Sequence, residues 1–268
     1  MGRALRPFSF YAMNTELLYG RRPVLESLRA RRRTFRRLIV ADNVDQSGIM
    51  QDILDAARQN HIKMESMHRR DLDSLVRNAN HQSVVLVADP YPYTSLDQLL
   101  HIAEQRGEPP FILLLDLLQD VHNVGALIRT AEAVGVHGVV IQERRAAEIT
   151  PAVVSASAGA SEHLNVAQVT NIVRAMETLK ESDVWLAGLD YQKSAQRYDQ
   201  ANLRGALGLV VGSEGKGLRR LVRETCDFLI YLPMRGQIES LNATVAGSVG
   251  LYAAWQARQF SGEKGPAS

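Results

Sequence analysis

The sequence predicts an α/β protein in two parts, a small amino-terminal unit and a larger carboxy-terminal domain built on an open parallel sheet. Three observations carry that prediction. Short Val-, Ile- and Leu-rich runs alternate with helical periodicity along most of the chain. Phe111-Ile112-Leu113-Leu114-Leu115 is apolar at every position, the pattern of a strand covered on both faces. Between the two parts, Asp89-Pro90-Tyr91-Pro92-Tyr93-Thr94 punctuates the chain, because two prolines this close stop helix and strand alike. The expected division is a binding domain over 14–90, a linker over 91–110 and the sheet domain over 111–261. Residues 1–13 and 262–268 read as a disordered extension and a disordered polar tail, and Met13 offers an alternative start.

In the first part, Leu17–Ala30 reads as a helix with Leu18, Leu25 and Leu28 on one side. Arg37–Ala41 is a short strand, Gly48–Asn60 a helix, Ile62–Met67 a strand, Asp71–Arg77 a helix and Ser83–Val87 a strand. The unit has no glycine-rich loop and no clustered acids, so it suits binding better than catalysis. A helix capped by Ser95 runs through Glu104 and ends at Arg106-Gly107-Glu108-Pro109-Pro110.

In the second part, Phe111–Leu115 leads through a loop to a helix over Val124–Val134, then the strand Gly138–Ile141. Thr150-Pro151 has the form of an N-cap with proline at the first helical position, opening Ala152–Ala158. Strands at Leu164–Val169 and Val184–Leu189 flank a helix from Ile172 to Lys180. Leu207–Val211, Phe228–Leu232 and a final helix from Leu241 to Arg258 complete the βαβ pattern.

The bulk numbers exclude more than they choose. With 46% apolar and 22% charged residues the chain is ordinary for a soluble globular protein, and a net charge of +2 says little about partners. The distribution is more telling: Arg3, Arg6, Arg21, Arg22, Arg29, Arg31, Arg32, Arg33, Arg36 and Arg37 face only Glu16 and Glu26 in the first 37 residues. Arginine joins a phosphate fork to a plane that stacks on bases, so nucleic acid is the expected partner rather than a merely solvated positive face. The single cysteine, Cys226, rules out an internal disulfide, leaves no Cys-based metal site and fits a reducing cytoplasm. No apolar run approaches the roughly twenty residues that span a bilayer, and none near the start has the form of a secretory signal.

Three loops carry the chemistry. The first, Asp116 to Thr130, opens a helix whose buried face is Leu127, Ile128, Ala131 and Val134, leaving Arg129 on the polar side. The second, Gly212-Ser213-Glu214-Gly215-Lys216-Gly217, follows a strand. Its glycines are in the wrong order for the dinucleotide fingerprint, and Gly217 after Lys216 rules out a P-loop. Glu214 would repel a phosphate, so an adenosine or a cationic cofactor fits better than a nucleoside triphosphate. The third runs from Pro233-Met234-Arg235-Gly236-Gln237-Ile238-Glu239 into Ser240-Leu241-Asn242-Ala243. Ser240 reads as an N-cap there, whereas Asn242, a poor helix former, lacks that explanation. Ala243, Ala246, Gly247, Ser248 and Gly250 then make a surface that another helix or a symmetry mate can approach closely.

Asn123 with Arg129, Gly212-x-Glu214-Gly215-x-Gly217, and Leu232-Pro233-Met234 with Ser240-Leu241-Asn242 together resemble the three motifs of the SpoU/TrmH family of RNA ribose 2′-O-methyltransferases. The resemblance extends over Leu17–Phe260, with Tyr19-Gly20-x-x-Pro23-Val24 and His81-Gln82 similar to landmarks of the family's RNA-binding domain. It is nearest to the bacterial 23S rRNA guanosine-2′-O-methyltransferases. It implies an L30e-like amino-terminal domain and a SPOUT domain with a deep trefoil knot, which dimerises into a homodimer. It implies S-adenosylmethionine as cofactor, held at Gly212, Leu232 and Leu241, with RNA as substrate and no metal. It also implies an in-line attack by a ribose 2′-hydroxyl on the sulfonium methyl, with Arg129 at the reacting hydroxyl and Asn123, Glu214, Ser240 and Asn242 around it. Arg129 serves there either as base or as an electrostatic clamp. One departure is Ser83, where the pattern after His81-Gln82 has Gly. The competing readings are a transfer-RNA substrate and a non-catalytic RNA-binding protein of the same fold. Retention of Arg129, Asn242 and the glycine loop speaks against the latter.

Overall fold

A computed structural model describes residues 15–237 and 240–265. The extension expected over residues 1–13 (with Arg3 and Arg6), the end of the expected tail and Ile238-Glu239 of the third loop therefore lie outside the described residues. The chain forms two compact units. One runs to Pro92 and includes Ile149–Glu162; the other comprises Tyr93–Glu148 and the residues from His163 onward.

The amino-terminal unit is ordered β1 (Glu16–Tyr19), α1 (Arg21–Ala30), β2 (Phe35–Ala41), α2 (Ile49–Gln59), β3 (Lys63–Met67), α3 (Arg69–Leu75) and β4 (Val84–Ala88). Its sheet is mixed, in the order β1-β4-β2-β3, with β4 antiparallel to both neighbours and β2 parallel to β3. The helix expected over Leu17–Ala30 is thus two elements. Gly20, at φ 92°, turns the chain between strand and helix, and the side chain of Gln82 caps the new helix by accepting from the Arg21 N–H at 2.8 Å. That bond joins the Tyr19-Gly20 and His81-Gln82 landmarks. Ile39, Leu72, Val76, Val85 and Val87 bury one face of the sheet. Ser83 takes φ 71°, the left-handed region where glycine is the easy residue. Its N–H donates to His81 Nδ1 at 3.1 Å, so the ring proton sits on Nε2 and faces Asp73 at 2.9 Å.

The second unit begins with α4 (Leu96–Arg106), closed by a reciprocal Ser95–Gln98 capping box. There follow β5 (Phe111–Asp116), α5 (Val121–Ala133), β6 (Gly138–Gln142), α6 (Pro151–Ala156), β7 (Val166–Val169), α7 (Ile172–Glu181), β8 (Trp185–Leu189), β9 (Gln196–Arg197), β10 (Leu207–Gly212), α8 (Arg220–Thr225), β11 (Phe228–Tyr231) and α9 (Ala243–Ala257). Except for α6, these build a wholly parallel sheet in the order β7-β6-β5-β10-β8-β11-β9. The two-residue β9 is too short to leave a periodic signature and was not expected. β5 and β10 are buried at every position, as a continuous apolar run requires. Helices α5 and α9 lie side by side in parallel, matched at Asn123–Thr244 and Thr130–Ser248. A Cβ on Gly247 would stand 2.5 Å from Leu127, so the small residues of α9 pack against the chain's own α5 and β10.

Residues 149–162, expected within the sheet domain, belong to the amino-terminal unit. Thr150 holds the N-cap position of α6 without a side-chain hydrogen bond, so Pro151 alone explains that helix start. The segment brings Glu162, fully buried, against Arg33. The Arg33 guanidinium grips Glu162 through two bonds of 2.9 and 2.7 Å and Glu16 at 2.5 Å, with no side-chain exposure of its own. Burial raises the Glu16 carboxyl above its ordinary value against the pull of Arg33. Arg36 pairs with Asp89 and Arg37 with Glu65, so part of the expected RNA-binding cluster is structural. Arg22 and Arg31 remain exposed with no ion pair among the described residues.

Candidate active site

The carboxyl ends of β8, β10 and β11 and the loops beyond them wall a cleft of about 310 Å³. The switch in strand order places it where open α/β sheets hold ligands. Gly212, Leu232 and Leu241 line it, as do Glu214 and Ser240. Gly212 is dictated by the loop itself. A Cβ there would lie 2.3 Å from the Gly217 carbonyl carbon and 2.5 Å from the Leu218 nitrogen, backbone that cannot step aside. The loop doubles back through a Gly217 N–H donated to Ser213 O at 2.9 Å, with Gly215 and Gly217 at φ 75° and 63°.

Beside the cleft, side chains from all three loops meet. Asn123 Nδ2 donates to Glu214 Oε2, and Asn242 Nδ2 donates to Glu214 Oε1 and to Asn123 Oδ1, each at 3.2 Å. The Thr244 hydroxyl lies 3.0 Å from Asn123 Oδ1 and 3.1 Å from its carbonyl oxygen. Each such bond contributes only about 0.5–1.5 kcal/mol, so the ring's value is geometric: it fixes three loops in one register.

Both helix starts serve the ring. α5 begins at Val121, earlier than expected, because Asp120 Oδ1 accepts from the N–H groups of His122 and Asn123 at 2.8 Å. That cap sets Asn123 in the first turn. At α9 the expected cap was Ser240; the structure assigns the role to Asn242, whose Oδ1 accepts from Thr244 N at 2.8 Å and Val245 N at 3.4 Å. Asn242 therefore has a helix-capping explanation after all, and the amide's other end remains available to the ring.

Arg129 stands apart. It lies six residues beyond Asn123 on α5, about 9 Å along the axis, and its exposed side chain makes no hydrogen bond or ion pair among the described residues. Ser240 is exposed at the cleft wall. Two ion pairs brace the surroundings. Asp116, buried at the end of β5, accepts from Arg219 Nε at 2.7 Å and from its backbone N–H at 2.9 Å, while Arg219 Nη2 reaches Gln142 at 3.0 Å. Asp190, in the cleft wall, accepts from Arg223 Nε at 2.5 Å.

Asp120, Thr244, Asp116 and Asp190 escaped the sequence reading. Only Asp120 carried a usable signal, an acid three residues before Asn123 at a helix start. Cys226 offers no nucleophile, since burial pushes its thiol up to about 12. Among the described residues no three His, Cys, Asp or Glu side chains cluster to hold a metal, and no helix is long and apolar enough to cross a membrane.

Residues 110–252 match the SpoU rRNA Methylase family, and residues 17–94 match the RNA 2′-O ribose methyltransferase substrate binding family. The chain is 43% identical over 250 residues to the putative TrmH family tRNA/rRNA methyltransferase YacO of Bacillus subtilis, covering 92% of this chain and 98% of that one. It is 37% identical to a putative TrmH family tRNA/rRNA methyltransferase of Staphylococcus saprophyticus, over 94% of this chain and all of that one. Among solved structures, the SpoU methyltransferase AviRb from Streptomyces viridochromogenes, in complex with AdoMet, aligns with a TM-score of 0.75 at 24% identity over 92% of both chains. An AdoMet-bound rRNA methyltransferase from Sinorhizobium meliloti aligns with a TM-score of 0.71 at 19% identity, over 91% of this chain and 87% of that one. At these identities the structural likeness concerns the fold.

Proposed function

Because the chain belongs to the SpoU rRNA methylase family, we propose that it methylates a ribose 2′-hydroxyl of RNA, a guanosine of 23S ribosomal RNA, using S-adenosylmethionine. The observation that carries the proposal is the hydrogen-bonded ring of Asn123, Glu214 and Asn242 at the lip of the cleft lined by Gly212, Leu232 and Leu241. The cleft suits that cofactor. Gly212 leaves bare backbone where a side chain cannot stand, Leu232 and Leu241 offer apolar surface, and Asp190 and Glu214 bring carboxylates toward a cation. When bound, the cofactor supplies a methyl group on a sulfonium ready for displacement.

The remaining work falls to the chain. The ring and Ser240 orient the ribose, since alignment is a large part of such a reaction's cost. A guanidinium holds its proton, so Arg129 grips a neighbouring phosphate and favours negative charge as it develops on the 2′-oxygen. Its lack of any partner among the described residues supports that reading. The trefoil knot belongs to the same proposal: β8 lies between β10 and β11, yet the chain returns from β11 so that α9 packs on β10 and α5. So does a homodimer. Val245, Val249 and Tyr252, 50%, 38% and 47% exposed, form an apolar stripe on the outer face of α9. The test is transfer of labelled methyl from S-adenosylmethionine to separated ribosomal and transfer RNAs, with the modified position mapped by resistance to alkaline cleavage. Label in a ribose of 23S RNA is expected; label in transfer RNA alone moves the substrate, and label on a base sinks the proposal.

A further inference from the structure

At the other edge of the parallel sheet, the amino-terminal ends of β5, β6 and β10 and the last turn of α9 enclose a second cavity of about 810 Å³. Arg258, just past α9, lies in its wall. Its Nη1 donates to the carbonyl oxygens of Leu203 and Ala254 at 3.0 Å, its Nη2 to that of Gly205 at 2.5 Å, and its plane lies 4.3 Å over the Phe111 ring. Among the described residues, Arg258 Nε is the one buried side-chain nitrogen or oxygen with no hydrogen-bond partner. Burial lowers this guanidinium to about 10 against the pull of Glu108, so it remains a cation at neutral pH, and its hydrogen-bond partners are neutral carbonyls. A buried charged donor left unmade costs more than a made bond returns. Glu108 is the one carboxylate acting on that charge, which favours a further anion in the cavity.

The surroundings agree. Arg106, Arg204 and Lys264 line the same cavity, exposed and without ion pairs among the described residues. Two carboxylates oppose them. Glu108 is occupied by His137 Nε2 at 3.1 Å, and Glu132 is exposed. His137 adds no charge at neutral pH, because burial, helped by Arg106, holds it below its ordinary value. Four cations against two acids leave the cavity positive, and Trp255 adds a ring to its wall.

We propose that this cavity binds a phosphate group, with the exposed Arg106, Arg204 and Lys264 as its donors and the Arg258 charge in the wall behind them. RNA and free phosphate offer the same chemistry, and this site is separate from the methyl-transfer cleft. The test is calorimetric titration of the full chain with orthophosphate and with a short single-stranded RNA, for the parent and for Arg204→Ala/Lys264→Ala. These two side chains make no bonds among the described residues, so the variant should fold as the parent, which circular dichroism checks. If RNA is the source, the variant binds RNA at least about tenfold more weakly, and its salt slope falls by about 1.4 for two lost contacts. If the source is free phosphate, the parent binds orthophosphate and the variant loses it while RNA affinity holds. Unchanged affinity for both overturns the proposal. S-Adenosylmethionine binding should be the same in both proteins, and because every readout is binding, a failure of methyl transfer leaves the result interpretable.

Discussion

Arg33 and Arg129 show how the two units use the same side chain. In the amino-terminal unit Arg33 is sealed from solvent and grips Glu162 and Glu16, while Arg36 and Arg37 hold Asp89 and Glu65. Charge there is spent on architecture. In the second unit, Arg129 stands exposed with no side-chain partner among the described residues, six residues along α5 from the Asn123 that belongs to a ring of amides and a carboxylate. An arginine-rich stretch is therefore not in itself a binding face. The arginines to suspect of function are those without an ion pair among the described residues, among them Arg22 and Arg31 in the first unit and Arg106, Arg129, Arg204 and Arg258 in the second.

That contrast can be broken, and the largest effect lies with Arg33. Arg33→Met strands the fully buried Glu162 and should cost about 3–5 kcal/mol in urea denaturation. A loss below about 1 kcal/mol would return Arg33 to the solvated cations and dissolve the comparison. Arg129→Ala should do the opposite: methyl transfer falls about 10²–10³-fold, as when one donor to a developing oxyanion is removed. Its denaturation midpoint and its affinity for S-adenosylmethionine should match the parent's. Equal activity in that variant removes Arg129 from the site.

A smaller effect tests the first unit's landmark loop. Ser83 adopts φ 71°, a conformation that costs a non-glycine residue about 1–2 kcal/mol, of which glycine's own flexibility gives back about 0.5–1 kcal/mol. Ser83→Gly should therefore raise stability by up to about 1 kcal/mol and leave activity alone. A destabilised variant would mean that the Ser83 side chain does something its bonds do not reveal. In the second unit, pH supplies the probe. Burial depresses His137 in the folded state, whereas the unfolded chain takes up a proton near 6.5. The unfolded state thus binds more protons in that range, so stability holds above about 6.5 and declines as pH falls through it. His137→Asn should flatten that decline; an unchanged profile assigns it to other groups.

The sheet domain was legible because its strands are continuous apolar runs with helices of ordinary length between them, from Phe111 to Leu115 onward. The amino-terminal strand was not, since Glu16–Tyr19 has no repeat long enough to separate it from the helix that follows, and only the turn at Gly20 divides them. The cleft-lining Gly212, Leu232 and Leu241 were expected together from the resemblance to the family's motifs. The resemblance gathered Asn123, Glu214 and Asn242 around one point but not the hydrogen bonds that join them, because Asn123 and Asn242 stand 119 positions apart and no local pattern records their pairing. Helix caps failed for a related reason. Ser240 was the expected cap, yet asparagine caps as well as serine does, and the choice between them depends on whether Asn123 and Glu214 arrive to hold the amide's free end. The segment 149–162 read as part of the sheet domain because it lies between two of its strands, and a bidentate pair with Arg33 is a contact that sequence order does not record.

Asn242 has one further consequence. The residue that starts α9 also closes the ring, and the helix's apolar outer stripe begins three residues later, at Val245. Anything that settles on that stripe steadies the first turn of the helix, and with it the ring. With the proposed homodimer formed on that stripe, specific activity should rise with enzyme concentration and level off. Val249→Glu should keep the protein at the dilute value at every concentration, even though Val249 does not line the cleft.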